Sequence, residues 1–64
     1  MTPELTERQR VALELIGEGY STKEVAERMG VTPRTAKAFG DILRSKFGVK
    51  HRRELVRIAQ EMKL

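Results

Sequence analysis

The chain has 64 residues, no cysteine and a formal net charge of +4. A chain of this length forms one domain that buries only about 60% of its extended surface, so its core must be compact and mostly helical. The lack of cysteine excludes disulfides and thiolate chemistry, and no apolar run approaches the roughly 20 residues that span a bilayer.

The first predicted helix covers about residues 7–18. Thr6 and Gln9 have the spacing of a capping box, in which each side chain accepts a hydrogen bond from the other residue's backbone N–H. Leu5 leads into the helix and Gly19 ends it. Its apolar side chains are Ala12, Leu13, Leu15 and Ile16.

The second helix is predicted at about residues 22–29, and a tight turn follows it. Ser21 and Glu24 form another capping box pattern, and Gly30 suits a left-handed residue that closes a helix. The apolar side chains share one face at helical spacing and are Val25, Ala26 and Met29. About three residues separate this helix from the next, as in a DNA-binding helix-turn-helix.

The third helix is predicted at about residues 33–46, because Thr32 is a suitable N-cap and Pro33 suits the first turn, where no N–H is needed. Gly48 closes it. The residues expected to face the core are Ala36, Gly40, Leu43 and Phe47.

A fourth helix at about residues 52–63 completes an all-α four-helix bundle, and we expect residues 1–64 to form a single domain. Val49 is expected to pack in the connection. The inner stripe of this helix is predicted to contain Leu55, Ile58, Ala59 and Met62.

Positive charge is concentrated on the third helix and the segment after it. Residues 31–53 carry seven basic and one acidic side chain, whereas residues 1–30 carry four basic and six acidic ones. Phosphates attract such a surface because their neutralisation releases condensed counterions. Charge, caps and turn length together favour nucleic-acid binding over a merely soluble basic surface.

The residues resemble the LuxR/GerE-type DNA-binding domain from Leu5 to about Gln60. Four phrases carry the resemblance, and they are residues 5–10, 19–26, 31–37 and 46–49. Region four of sigma factors is similar through the first three phrases, but its recognition helix typically lies close to the chain end. The helix after Gly48 therefore favours the LuxR type. This resemblance implies a sequence-specific transcriptional regulator that inserts its third helix into the major groove of double-stranded DNA.

The resemblance places three base-contacting positions at Lys37, Ala38 and Asp41. Lys37 can donate to guanine O6 or N7, and Ala38 offers a methyl-sized contact to thymine. Asp41 can accept from cytosine N4, but an ordinary surface contact with Lys37, Arg44 or Ser45 on the same helix is the favoured interpretation.

Phosphate contacts are expected from residues at the starts of helices and from basic residues beyond the third helix. Exposed N–H groups and the helix dipole assist such contacts at helix N-termini. The predicted residues are Thr22, Lys23, Arg34, Thr35, Lys46 and Arg52.

Three residues of the third helix depart from the family pattern. Ala36 stands where a larger aliphatic is usual, Phe39 where histidine is common, and Gly40 where a branched aliphatic is usual. We expect Phe39 to turn inward and fill the space left by Ala36 and Gly40. The alternative is an exposed Phe39 that anchors a protein partner, in which case the helix-turn-helix is an interaction module.

Two further expectations concern the fourth helix. Val56 and Gln60, with Arg52 and Lys63, are candidates for a two-fold contact in a homodimer, and a monomeric surface is an equal alternative. His51 is the sole histidine and is expected to be a capping or surface residue, because a metal site needs more ligands.

No catalytic constellation is visible in the sequence. There is no cysteine nucleophile, paired-histidine motif or glycine-rich phosphate loop, so we expect neither an enzyme nor a cofactor. The opening residues 1–4 lack the features of a signal peptide, and a soluble cytoplasmic protein without a membrane partner is expected.

Overall fold

The computed structural model describes residues 3–62, which contain four α-helices and no strand. The helices are α1 (Glu7–Gly17), α2 (Thr22–Met29), α3 (Pro33–Phe47) and α4 (Arg52–Met62). The expected all-α, four-helix fold is therefore confirmed.

The helix ends differ slightly from those expected. α1 ends one residue early, at Gly17, since Glu18 is its C-cap and Gly19 then takes a φ of +94°. α3 continues one residue further, to Phe47. The expected last residue of the fourth helix, Lys63, lies outside the described residues.

Local capping interactions begin and end the two helices of the helix-turn-helix. Ser21 Oγ accepts from the Glu24 N–H at 3.2 Å, and Glu24 Oε1 accepts from the Ser21 N–H at 2.9 Å. Gly30 closes α2 with a φ of +69°, which a residue with a Cβ rarely adopts. Thr32 Oγ1 then accepts from the Thr35 N–H at 3.2 Å and begins α3.

All four helices contribute to one hydrophobic core. α1 packs mainly against α4, and α2 packs mainly against α3. The buried side chains are Ala12, Leu13, Ile16, Val25, Ala26, Ala36, Leu43, Leu55 and Ala59. No charged or polar side chain in residues 3–62 is buried, so every charged group there is available to solvent or to a ligand.

Several residues expected on the inner faces of the helices are less covered than predicted, and among them Met29 and Ile58 are only half-buried. Met62 is 45% exposed, because it lies at the end of α4 beside the polar side chains of Arg10 and Glu14. Phe47, at the end of α3, is only half-buried.

Within residues 3–62, no helix has the length and apolar character needed to cross a membrane.

Candidate nucleic-acid interface

The turn between α2 and α3 orients the two helices around a common cleft. Beyond the left-handed Gly30, the Val31 N–H donates to the Ala26 carbonyl at 3.0 Å and anchors the turn to α2. Pro33 then starts α3, and the helices pack against each other through their apolar faces. One side of α3 thereby faces the start of α2 and the start of α4.

An open cleft of about 570 Å³ lies on this side of α3, and we call it the α3 cleft. Its floor includes the small residues Ala36 and Gly40. Five of the predicted DNA-contacting residues line it, and they are Thr22, Arg34, Lys37, Asp41 and Arg52. The fold therefore gathers residues from α2, α3 and α4 that are up to 30 positions apart in the chain.

Three cations of α3 border the cleft, and they differ in their partners. Arg44 pairs with Asp41, three residues earlier on the same helix. Arg34 and Lys37 are exposed, and no acidic side chain in residues 3–62 forms an ion pair with either. Their charge is therefore not neutralised by a salt bridge there.

Asp41 takes the favoured of its two predicted roles in this structure. Its carboxylate accepts a hydrogen bond from Arg44 and not from Lys37. The pair holds the Arg44 guanidinium at the cleft. A hydrogen bond from cytosine N4 to Asp41 stays a prediction.

Arg52 has partners of its own at the edge of the cleft. Its Nη1 donates to Thr22 Oγ1 at 3.1 Å, and its Nη2 donates to the Tyr20 carbonyl oxygen. Arg28 stacks over the Tyr20 ring, with its guanidinium carbon 4.0 Å from the ring centroid. These contacts tie the start of α4 to the start of α2, so Arg52 has a structural role that the sequence did not indicate.

The remaining predicted DNA contacts lie outside the α3 cleft. Lys23, Thr35 and Ala38 are exposed, and the Thr35 hydroxyl lies 3.0 Å from that of Thr32. Lys46 Nζ donates to the Glu4 carbonyl at 2.8 Å and to Gln9 Oε1 at 3.0 Å. Lys46 thus holds the segment before α1, a contact between residues far apart in sequence.

Phe39 turns toward the core as expected, but it does not fill the space beside Ala36 and Gly40. Phe39 is half-buried and packs against the core, but it does not line the α3 cleft, which stays open over Ala36 and Gly40. The reason is helical geometry, because consecutive residues point about 100° apart around the axis. Phe39 therefore covers a different side of α3 from Gly40.

The two candidate dimer residues both have contacts within the chain. Val56 is half-buried against the core, and Gln60 Nε2 donates to the Gly17 carbonyl at 3.4 Å. A contact between two copies through these residues stays a prediction.

His51 is exposed just before α4. Its backbone N–H donates to Glu54 Oε1 at 2.9 Å, and this contact stabilises the start of the helix. Within the described part of the chain, no group of three or more potential metal ligands comes together.

Sequence reasoning missed two features of α3. Arg44 lines the cleft beside Lys37 and Asp41, which its position one turn beyond Gly40 could have indicated. Ile42 is 39% exposed, and its spacing of four residues from exposed Ala38 places both on one outward stripe.

Comparison with known proteins identifies the family. Residues 3–59 match GerE, the family described as bacterial regulatory proteins, luxR family. The chain is also 38% identical over 60 residues to the oxygen regulatory protein NreC of Staphylococcus aureus strains JH9 and JH1. This match covers 94% of the chain but only 28% of the length of these curated relatives. The chain belongs to the LuxR family of bacterial regulatory proteins, whose helix-turn-helix domains bind DNA and regulate transcription.

Proposed function

We propose that this chain binds double-stranded DNA sequence-specifically by inserting α3 into the major groove, and that it regulates transcription in the bacterial cytoplasm. The observation that carries the proposal is the α3 cleft, where Arg34 and Lys37 lack salt bridges within residues 3–62 and lie with Thr22 and Arg52 along one side of α3. A positively charged face on a helix that can enter a groove is the arrangement that phosphate and base recognition require.

Base recognition is proposed for the exposed residues in the first half of α3. Lys37 would donate to guanine O6 or N7, and Ala38 would contact a thymine methyl. Asp41 keeps lone pairs beyond its bond to Arg44, with which it would accept from cytosine N4. These contacts give specificity, whereas phosphate contacts give position.

Phosphate contacts are proposed at both helix starts that face the cleft. Thr22 and Lys23 are the first two residues of α2, and Arg34 and Thr35 follow Pro33 in the first turn of α3. Arg52 and Lys46 already donate within the chain, so each would use its remaining N–H groups on the DNA backbone.

The test is the salt dependence of duplex binding measured by fluorescence anisotropy, after selection of a preferred sequence from random duplexes. The double substitution Arg34→Ala with Lys37→Ala should reduce the magnitude of the slope of log K against log salt by about one, for the lost phosphate contact of Arg34, and should weaken the preference for the selected sequence through the loss of Lys37. Arg57→Ala on α4 is the matched control, because Arg57 is exposed and does not line the cleft.

An unchanged slope in the double variant would contradict the proposal, as would affinity that is insensitive to salt. An amide NMR titration with the selected duplex identifies the residues that lie at the interface. We expect shifts at residues 22–23 and 33–41, and shifts confined to α4 would contradict the placement of the interface.

A second candidate function is a protein interface on the outer side of α3. Exposed Ile42 favours it, since a large apolar side chain on a surface can anchor a partner. Half-buried Phe39 would then contribute only its accessible edge. This alternative predicts that duplex DNA leaves the α3 amide signals unchanged, so the same titration distinguishes the two functions.

A further inference from the structure

Gly40 lies in the middle of α3, and nothing within the fold requires a glycine there. A glycine in a helix interior is less stable there than alanine, because it loses more backbone freedom on folding. Glycine is tolerated at such a position when φ is positive or when another group approaches closely. The positive-φ glycines of the described chain are Gly19, Gly30 and Gly48, so Gly40 has no such backbone requirement.

Close approach within the chain does not explain Gly40 either. Apart from its chain neighbours and the backbone of its own helix, the atom nearest to a Cβ built at Gly40 is Arg44 Nη1, at 4.0 Å. Gly17 shows the contrast, because a Cβ there would lie 2.4 Å from the Ala59 Cβ. The fold requires a small residue at Gly17 and leaves room for a larger one at Gly40.

The Gly40 backbone is buried, and the space beside it, bordered by the Arg44 guanidinium, opens into the α3 cleft, which is surrounded by positive charge. Lys37 and Arg44 lie one turn either side of Gly40, and Arg52 lines the cleft from α4. Asp41 is the acidic residue there, and its carboxylate is paired with Arg44. A group that enters this space therefore meets several cations above a floor without a side chain, and this environment suits a phosphate.

We propose that Gly40 leaves room for a phosphodiester group of bound duplex DNA, which seats against α3 more closely than any side chain at position 40 would allow. The proposal rests on the proposed DNA-binding function and adds a residue that sets affinity through its lack of a side chain. Arg44, one turn beyond Gly40, donates to the seated phosphate, whereas Lys37 stays with its guanine, and charge-assisted hydrogen bonds such as that of Arg44 are the stronger ones.

The test is Gly40→Ala, which separates stability from binding. Added helix propensity should raise Tm by about 4–8 °C, since the new methyl meets no close contact. Affinity for the selected duplex should nevertheless fall on the order of tenfold, and the salt slope should fall by about one, because one phosphate is held less closely. A variant that is stabilised but binds with unchanged affinity and slope would overturn the proposal. A fall in Tm would also overturn it, since the fold itself would then require Gly40.

Ser45→Ala is the control for stiffening of the helix. Ser45 is exposed on α3 outside the cleft, and alanine there also raises helix propensity. We expect this variant to keep the wild-type affinity, and an equal loss of affinity in both variants would overturn the role of the open space.

The wild-type titration distinguishes failure of this inference from failure of the proposed function. If the wild type binds duplex DNA with a slope that depends on Arg34, and Gly40→Ala binds equally well, only the inference at Gly40 fails. If the wild type shows no salt-dependent binding, the DNA-binding proposal fails and the inference at Gly40 fails with it.

Discussion

Single residues of the candidate interface divide into those engaged within the chain and those left free. Arg34 and Lys37 form no salt bridge in residues 3–62, whereas Arg44 is paired with Asp41 and Arg52 donates to two acceptors near α2. This difference matters for mutagenesis. Removing a free cation changes binding alone, but removing an engaged one also changes the fold around the site.

The first prediction concerns Arg52→Ala. The substitution leaves the Tyr20 carbonyl and Thr22 hydroxyl without their donor, and we expect the free energy of unfolding to fall by about 1–3 kcal/mol. DNA affinity should fall as well, because α2 and α4 are no longer tied together beside the cleft. Thermal unfolding followed by circular dichroism measures the first effect, and anisotropy measures the second.

Arg34→Ala is the comparison for Arg52→Ala. Arg34 is exposed and forms no salt bridge in the described chain, so its removal should weaken binding with little change in Tm. Equal Tm values for the two variants would show that the contacts of Arg52 contribute no stability.

At the scale of elements, α1 and α4 approach each other closely at Gly17 and Ala59. Gly17 lets the Ala59 Cβ approach α1, and the Gln60 side chain donates to the Gly17 carbonyl beside it. This contact brings the second half of α4 against the end of α1, whereas Arg52 ties the start of α4 to Tyr20 and Thr22.

The second prediction is that Gly17→Ala destabilises the fold although alanine is the better helix former. The added Cβ would lie 2.4 Å from the Ala59 Cβ, so the helices must move apart, at a cost of about 1–3 kcal/mol. Urea unfolding measures this loss. The double variant Gly17→Ala with Ala59→Gly removes the clash, and it should be more stable than Gly17→Ala if contact between these two residues is the cause.

The third prediction concerns the stability that the α2 capping box loses at low pH. Hydrogen bonds from the Ser21 backbone N–H, and then from its side chain, lower the pKa of the Glu24 carboxyl. Since the folded pKa is the lower one, the stabilisation is fully present above the unfolded value of about 4.3 and is lost as pH falls through the folded value. The pKa of Glu54 is lowered in the same direction, chiefly by the His51 N–H, so α4 has the same dependence.

Glu24→Gln should therefore reduce the loss of Tm between neutral pH and about pH 3, since glutamine can accept the same hydrogen bond without titrating. Thermal unfolding over a pH series measures the effect. Glu61→Gln is the control, because no hydrogen bond or salt bridge in the described chain engages the Glu61 side chain. A similar flattening in both variants would contradict a specific role for the α2 cap.

For the molecule as a whole, one small core supports the entire interface. Leu13, Leu43 and Leu55 come from three helices and are at most 1% exposed. The net charge of +4 is unevenly placed, with the excess of cations in residues 31–53, and this asymmetry orients the molecule toward a polyanion.

The fourth prediction is that Leu43→Ala abolishes DNA binding through unfolding. The loss of a fully buried leucine costs about 2–5 kcal/mol. A domain of this size has a total stability of about 3–10 kcal/mol. Far-ultraviolet circular dichroism should show lost helix under conditions in which Lys37→Ala keeps it. A folded Leu43→Ala variant that binds normally would contradict the dependence of the interface on this core.

The approximate limits of the helices and the family could be predicted from the sequence, because both depend on interactions between residues that are close together in the chain. A capping box spans three residues, as between Ser21 and Glu24, and an apolar stripe repeats every three or four, so both leave a pattern in the sequence. The helix-turn-helix and the concentration of charge could be predicted for the same reason.

The packing of the helices determines which charged side chains bond within the chain and which remain available to bind a ligand. Arg52 reaches Thr22 across 30 residues and Lys46 reaches Glu4 across 42, and such contacts arise only once the helices are packed. The open floor at Gly40 and the placement of Phe39 depend on the neighbours that surround α3 in space. Local propensity describes one helix at a time, whereas a cleft is the space between several helices, and only their mutual packing determines its shape and its free charges.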